Sequence, residues 1–275
     1  MKYYFQIIRP LNLLITAFAS LTAYFIVSED FDFLNLVLII LSTVLTAGAG
    51  NIINDIFDID IDSINKPTRP LPSSNMKISS AYIWYSLLVA GSLLSGFLLG
   101  SHSFAAVAFV NLILLFYTAF LKRRPFWGNF VVACISGYLF YFCSITTGNF
   151  TLIIPLAISA FLFHFIREII KDIADLEGDK HHRADTMAIR LGIPRTINII
   201  KLLIITLVFY LTYLMVFGGY TVNFALTLSI GVFPVLVYII FSLSKDPAKI
   251  DYERLSLVMK LDMFFGIIAF YFGMI

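Results

Sequence analysis

Apolar stretches near the length of a bilayer crossing alternate along the chain with short polar connections. Nine qualify, at about 11–27, 34–55, 79–100, 103–121, 128–147, 150–171, 196–217, 221–243 and 255–275. Roughly 20 apolar residues in a helix cross the hydrocarbon core, where every backbone polar group must find its partner inside the protein. The pattern predicts an all-α, polytopic membrane protein with nine transmembrane helices in a single domain over 1–275. No cleavable leader is expected, because the run from Asn12 to Val27 is followed by Glu29, Asp30 and Asp32 rather than small residues.

The polar connections fall into two kinds. Four are short and free of Lys and Arg: the acidic turn after span one, then 101–103, 147–149 and 218–220. All 19 basic residues lie at the N-terminus, near the other four connections, or, for Lys260, just inside span nine. The positive-inside rule then places the N-terminus in the cytoplasm and the C-terminus outside. Lys260 reads as a side chain snorkelling to the interface.

Composition agrees. With 60% apolar and 13% charged residues, the chain cannot coat a water-facing surface of its own size. That excludes a soluble enzyme, a disordered chain and a basic nucleic-acid binder, and no protein partner is evident. Cys134 and Cys143 lie nine residues apart in one apolar run, too far for a disulfide across a helix and without a metal-ligand pattern.

The acids carry the chemistry. Four of the 17 lie between Asn54 and Asp62 at the end of span two, and five lie between Glu168 and Asp179 at the end of span six. Asn51, Asp55, Asp58 and Asp62 are spaced by 4, 3 and 4 residues, as are Glu168, Asp172, Asp175 and Asp179. On a helix each set forms one polar stripe. Spans two and six run in the same direction, so both stripes end at the same face. The second follows the first by four spans, which suggests a parallel repeat of spans 1–4 and 5–8 with span nine added. Carboxylates crowded at the negative end of a helix dipole demand cations. Oxygen donors without His or Cys select Mg²⁺, Mn²⁺ or Ca²⁺, and Mg²⁺ is commonly shared with substrate phosphates. Two such stripes face to face make a diphosphate clamp. Arg69 lies in a proline-rich segment after the first stripe, Tyr117 and Lys122-Arg123-Arg124 close span four, and Lys171 and Lys180 frame the second stripe. The plainer readings are solvated helix ends and topology-setting charge.

Asn54-Asp55-x-x-Asp58-x-x-x-Asp62 followed by Asn65-Lys66-Pro67-x-Arg69-Pro70-Leu71-Pro72 resembles the signature of the UbiA-type intramembrane prenyltransferases. The second motif at 172–179 and the nine-helix count agree. The run Arg167-Glu168-Ile169-Ile170-Lys171-Asp172 looks most like the branch that geranylgeranylates geranylgeranylglyceryl phosphate. The resemblance implies helices around a central cavity, with one Mg²⁺ held by Asn54, Asp55, Asp58 and Asp62 and a second by Asp172, Asp175 and Asp179. A prenyl diphosphate would bridge them at the cytoplasmic face of the cell membrane. Asp58, Asp175 and Lys122 would act catalytically, while Tyr117 and Tyr138 would face the allylic cation. Asn51, Lys66, Arg69, Glu168 and Lys171 would contact substrate, and Arg123 and Arg167 the phosphate of a lipid-like acceptor. His164 reads as an ordinary interior residue. A UbiA-type enzyme with an aromatic acceptor is the nearest rival. An ion transporter is the remote one, since its acids would lie near mid-membrane.

Overall fold

The computed structural model of the protein describes residues 2–122, 124–145, 148–181 and 184–274, so Arg123 and Thr147 lie outside them. A short α1 (Lys2–Ile7) leads into α2 (Pro10–Val27), and α3 (Phe33–Phe57) is followed by a short α4 (Ile59–Asn65). α5 (Ile78–Leu99) precedes α6 (Ser101–Phe116), which widens into a π-helical turn over Tyr117–Leu121. Next come α7 (Trp127–Ile145), α8 (Ile154–Ala174), a short α9 (Leu176–His181), α10 (Met187–Leu191) and α11 (Ile193–Phe217). The chain ends with α12 (Val222–Thr227), a second π turn (Leu228–Val232), α13 (Phe233–Ser242) and α14 (Tyr252–Met274). Among the described residues there is no strand.

Among the same residues, eight helical stretches are long and apolar enough to cross a membrane. The expected sixth span, α8, matches them in length at 21 residues but carries Arg167, Glu168, Lys171 and Asp172 in its last two turns. The outward surface suits lipid. Phe209, Phe217 and Ile230 are 72, 73 and 77% exposed, which water would penalise and hydrocarbon does not.

Small residues and polar ties hold the helices where no hydrophobic drive separates protein from lipid. Gly137 lets α7 approach α8 so closely that a Cβ there would lie 2.8 Å from the carbonyl of Ala157. Asn111 on α6 donates to Ser92 on α5 at 3.2 Å and to Thr46 on α3 at 3.4 Å, so three helices share one buried amide. Gly100, at φ 119°, turns α5 into α6 with a single residue, so 101–103, expected as a turn, begins a helix instead. The acidic turn after α2 caps α3, since Asp32 accepts from the backbone of Leu34 and Asn35. The main core runs through α2, α7, α8, α11 and α14, and a smaller one packs α1, α3, α5 and Leu71 beneath the first acidic motif.

Candidate active site

Both acidic stripes bend at the same place. α3 stops at Phe57 and α8 at Ala174, and the next residue leaves helical geometry, Asp58 at φ/ψ −101°/8° and Asp175 at −90°/8°. A straight helix through each motif was expected. Instead each stripe turns at its third polar residue, where carboxylates oppose the dipole and compete with the backbone. Hydrogen bonding continues across the bends: Asp62 N–H reaches the Asp58 carbonyl at 2.7 Å, and Asp179 N–H reaches that of Asp175 at 3.1 Å.

The bends bring α4 and α9 together. Asn65 is the link. Its amide donates to the Asp175 carbonyl at 3.0 Å, and its oxygen accepts from Gly178 N–H at 3.0 Å. Lys66 Nζ pairs with Asp175 Oδ1 at 2.8 Å. Asn65 lies so tightly over Gly178 that an added Cβ would collide with its side-chain amide.

Around the first motif the acids meet cations from other elements. Asp55 accepts from Arg9 and, at 3.3 Å, from Arg69. Asp62 pairs with Arg69, and Asp58 with Lys122 at the end of the π turn. Arg69 is aimed by its proline-rich loop, in which Ser73 Oγ holds the Arg69 carbonyl at 2.6 Å. Burial pushes the Asp62 carboxyl up despite Arg69. The second motif has fewer partners. Asp172 accepts from Asn129 of α7 at 2.7 Å. Burial would raise the Asp175 carboxyl, but Lys171 and Lys66 outweigh it and hold it below the usual range. Asp179, pushed up to about 6 by burial and then by Asp175, has no side-chain hydrogen bond among the described residues.

Beneath the two tips lies a cavity of about 290 Å³. Arg9, Asn54, Tyr117, Lys122, Arg167 and Lys171 line its polar part, and Ile15, Ala19, Val107, Phe140, Phe163 and Phe270 line the apolar part. Tyr117 is buried, within electrostatic reach of Asp58, Asp172 and Glu168, and so stands between the motifs. Tyr138 is half-buried on the wall, its ring 6.3 Å from Phe109 and 5.7 Å from Tyr141.

The donor set suits a hard cation, but the expected ligand groups do not close into cages. Among the described residues no three of the His, Cys, Asp and Glu side chains converge on one metal position. Asn54 Oδ1 accepts from Thr118 at 2.6 Å, while Asp55, Asp58 and Asp62 turn to their cations. Carboxylates spread over two facing tips fit an ion that keeps water and substrate oxygens. Asn51 lines the cavity, but its amide donates to the Ile8 carbonyl at 2.8 Å, fixing the elbow between α1 and α2. Glu168 lines it too, bound by Arg167 and, at 3.8 Å, by Lys171. Lys180 is exposed. His164 and Lys260, read from sequence as interior packing and snorkelling, both line the cavity.

Sequence reasoning gave no role to Arg9, to Asn65, which it placed only within the first motif, or to Thr118 and Asn129. Arg9, with φ 54° before Pro10, had a local signal as a lone cation beside a proline at the head of a span. The other three are ordinary polar residues whose partners lie far along the chain.

A family model described as the UbiA prenyltransferase family matches residues 13–265. The chain belongs to that family. Digeranylgeranylglyceryl phosphate synthase of Methanoregula boonei is 39% identical to this UbiA-family chain over 197 residues, covering 70% of each. A solved structure of digeranylgeranylglyceryl phosphate synthase superposes with a TM-score of 0.75 at 26% identity, covering 99% of this chain and 98% of the other. The UbiA fold is shared as well with a homologue from Archaeoglobus fulgidus bound to GPP and Mg²⁺, at TM-score 0.73 and 18% identity over 98% and 99% of the two chains.

Proposed function

We propose that this UbiA-family prenyltransferase moves a geranylgeranyl group from its diphosphate to the hydroxyl of geranylgeranylglyceryl phosphate. The observation that carries the reading is the Asn65–Lys66 junction, which locks the first acidic tip onto the second above an apolar cavity. The names of the Methanoregula relative and of the 26%-identical solved structure support the acceptor, and the ligands of the Archaeoglobus homologue support the metal and the donor class.

In this reading Asn54, Asp55, Asp58 and Asp62 would hold one Mg²⁺, and Asp172, Asp175 and Asp179 a second. Bound Mg²⁺ supplies charge neutralisation at the bridging diphosphate. Lys122, Lys66 and Arg69 stand beside the acids, where they neutralise the departing oxygens. The bond from the first prenyl carbon to the diphosphate breaks with its electrons leaving on oxygen. The face of Tyr117 steadies the positive carbon, with Tyr138 further along the wall. The acceptor hydroxyl then forms the ether bond, and its proton passes to a nearby carboxylate. The apolar wall excludes the water that would otherwise capture the cation.

The chain crosses the membrane nine times with α8 as the sixth span, the N-terminus cytoplasmic and the acidic tips at the cytoplasmic face. Its matched bends support a single domain built on a parallel repeat. Purified protein given labelled geranylgeranyl diphosphate should form the diether phosphate with Mg²⁺, stop with EDTA, and recover on readdition of the ion. Transfer to an aromatic acid but not to the glyceryl ether phosphate would overturn the acceptor.

A further inference from the structure

Lys260 lies in the third turn of α14, near the start of the apolar run at 255–275, where its position in the sequence suggests an anchor at the membrane interface. Its side chain is on another face. Met263, Gly266, Ile267 and Phe270 follow it at helical spacing, and all five line the cavity, so Lys260 heads the inward stripe of α14. α14 packs on α8, where Arg167, Glu168 and Lys171 line the same space.

Two donors there lack partners among the described residues. Lys260 lies within electrostatic reach of Arg167, Arg9, Lys171 and Glu168. Arg9 is already matched by Asp55. Lys171 faces Asp175 as well as Glu168, so Glu168 is the one carboxylate within reach of Lys260, and it is engaged by Arg167 and Lys171. Lys260 forms no ion pair among the described residues. The Nε–H of Arg167 is buried with no hydrogen-bond acceptor among those residues. A buried donor without a partner beside a lysine that has no ion pair calls for an anion. A phosphomonoester, with a charge of about −2 near neutral pH and several acceptor oxygens, answers both the free ammonium of Lys260 and the open donor of Arg167.

We infer that Lys260 and Arg167 form the subsite for the phosphate of the acceptor, set apart from the diphosphate site at the acidic tips. This rests on the function proposed above. The cations assigned to the diphosphate, Lys66, Arg69 and Lys122, are each paired with a motif aspartate, whereas Lys260 is held by none among the described residues. It belongs to a helix that packs on α2 and α8.

The test uses full-length protein in lipid nanodiscs, with two acceptors: a geranylgeranylglyceryl phosphate and the same glyceryl ether without its phosphate. Lys260→Gln should raise KM for the phosphorylated acceptor roughly 10- to 100-fold. The affinity for geranylgeranyl diphosphate, measured without acceptor, should hold, and Lys260→Arg should restore most of the loss. With the phosphate-free acceptor, wild type and Lys260→Gln should perform alike. An unchanged KM for the phosphorylated acceptor, or weakened binding of the diphosphate instead, would overturn the subsite. A wild-type protein that fails to use the phosphorylated acceptor at all would overturn the proposed function instead. Should Lys260→Gln not fold, Lys260→Met compared between the two acceptors carries the same discrimination, since its defect must appear only with the phosphate.

Discussion

The two acidic tips share a backbone and differ in company. Asp58 and Asp175 bend their helices with nearly the same torsions, and each is followed by a further aspartate four residues on. The first tip is met by Arg9, Arg69 and Lys122, so each of its three motif aspartates has a cation. The second has one ion pair, to Lys66, with Lys171 within electrostatic reach and the neutral amide of Asn129 on Asp172, and leaves Asp179 without a side-chain hydrogen bond among the described residues. A repeated spacing therefore builds the same local geometry twice, while the charge environment comes from whatever elements pack nearby. The first tip is the more completely ion-paired. One substrate held between them experiences both.

The largest expected effect comes from removing either bend residue. Asp58→Ala and Asp175→Ala should each lower kcat by at least about 10²-fold, as losing a group that stabilises transition-state charge does. Both proteins should still insert and melt cooperatively. Near-normal turnover in either would show that its tip is a bystander and that the likeness between the tips has no chemical meaning.

A smaller effect should follow from moving the tips apart while keeping their acids. Gly178→Ala places a Cβ on Asn65, and misplacement on this scale costs about 10- to 100-fold in kcat/KM. Asn65→Ala alone should cost less. The double variant should recover part of the Gly178→Ala loss, because the clashing side chain is gone. If Asn65→Ala and Gly178→Ala instead add independently, the junction does not set the spacing.

The contrast between partnered and unpartnered acids extends to Asp262. It lies on α14, buried, with neither carboxylate oxygen hydrogen-bonded among the described residues, and it does not line the cavity. Asp262→Leu should raise stability by about 1–3 kcal/mol, since no interaction offsets the desolvation of that carboxylate. A thermal melt reads this out, and turnover should stay near wild type. A large loss of activity would place Asp262 in the machinery.

How much of this is legible in the sequence follows from what is local. Spans show because each is an apolar run of bilayer length. The helix α8 is legible as a helix because its charges fall near its end, behind an apolar start over 153–166, and those same charges keep it out of the eight stretches apolar enough to cross a membrane among the described residues. The two motifs show because one spacing recurs 117 residues apart. The bends do not show, since a stripe of aspartates at helical spacing looks the same whether its helix is straight or turns at Asp58. Partners are hidden for a different reason. Arg9 reaches Asp55 across 46 residues, Asn129 reaches Asp172 across 43, and Asn65 reaches Asp175 across 110. Nothing near any of them in sequence marks the acid it meets. Lys260 passes for an anchor because charge near the start of an apolar run looks the same whether it faces lipid headgroups or a cavity.

If both tips hold one diphosphate, they must be coupled in binding it, and a double-mutant cycle tests that most directly. Equilibrium affinity for geranylgeranyl diphosphate with Mg²⁺, without acceptor, would be measured for wild type, Asp58→Asn, Asp175→Asn and the double variant. Shared binding predicts a coupling above about 1 kcal/mol between the two substitutions. Losses that add to within about 0.3–0.5 kcal/mol would contradict it, and would mean that the tips bind independently.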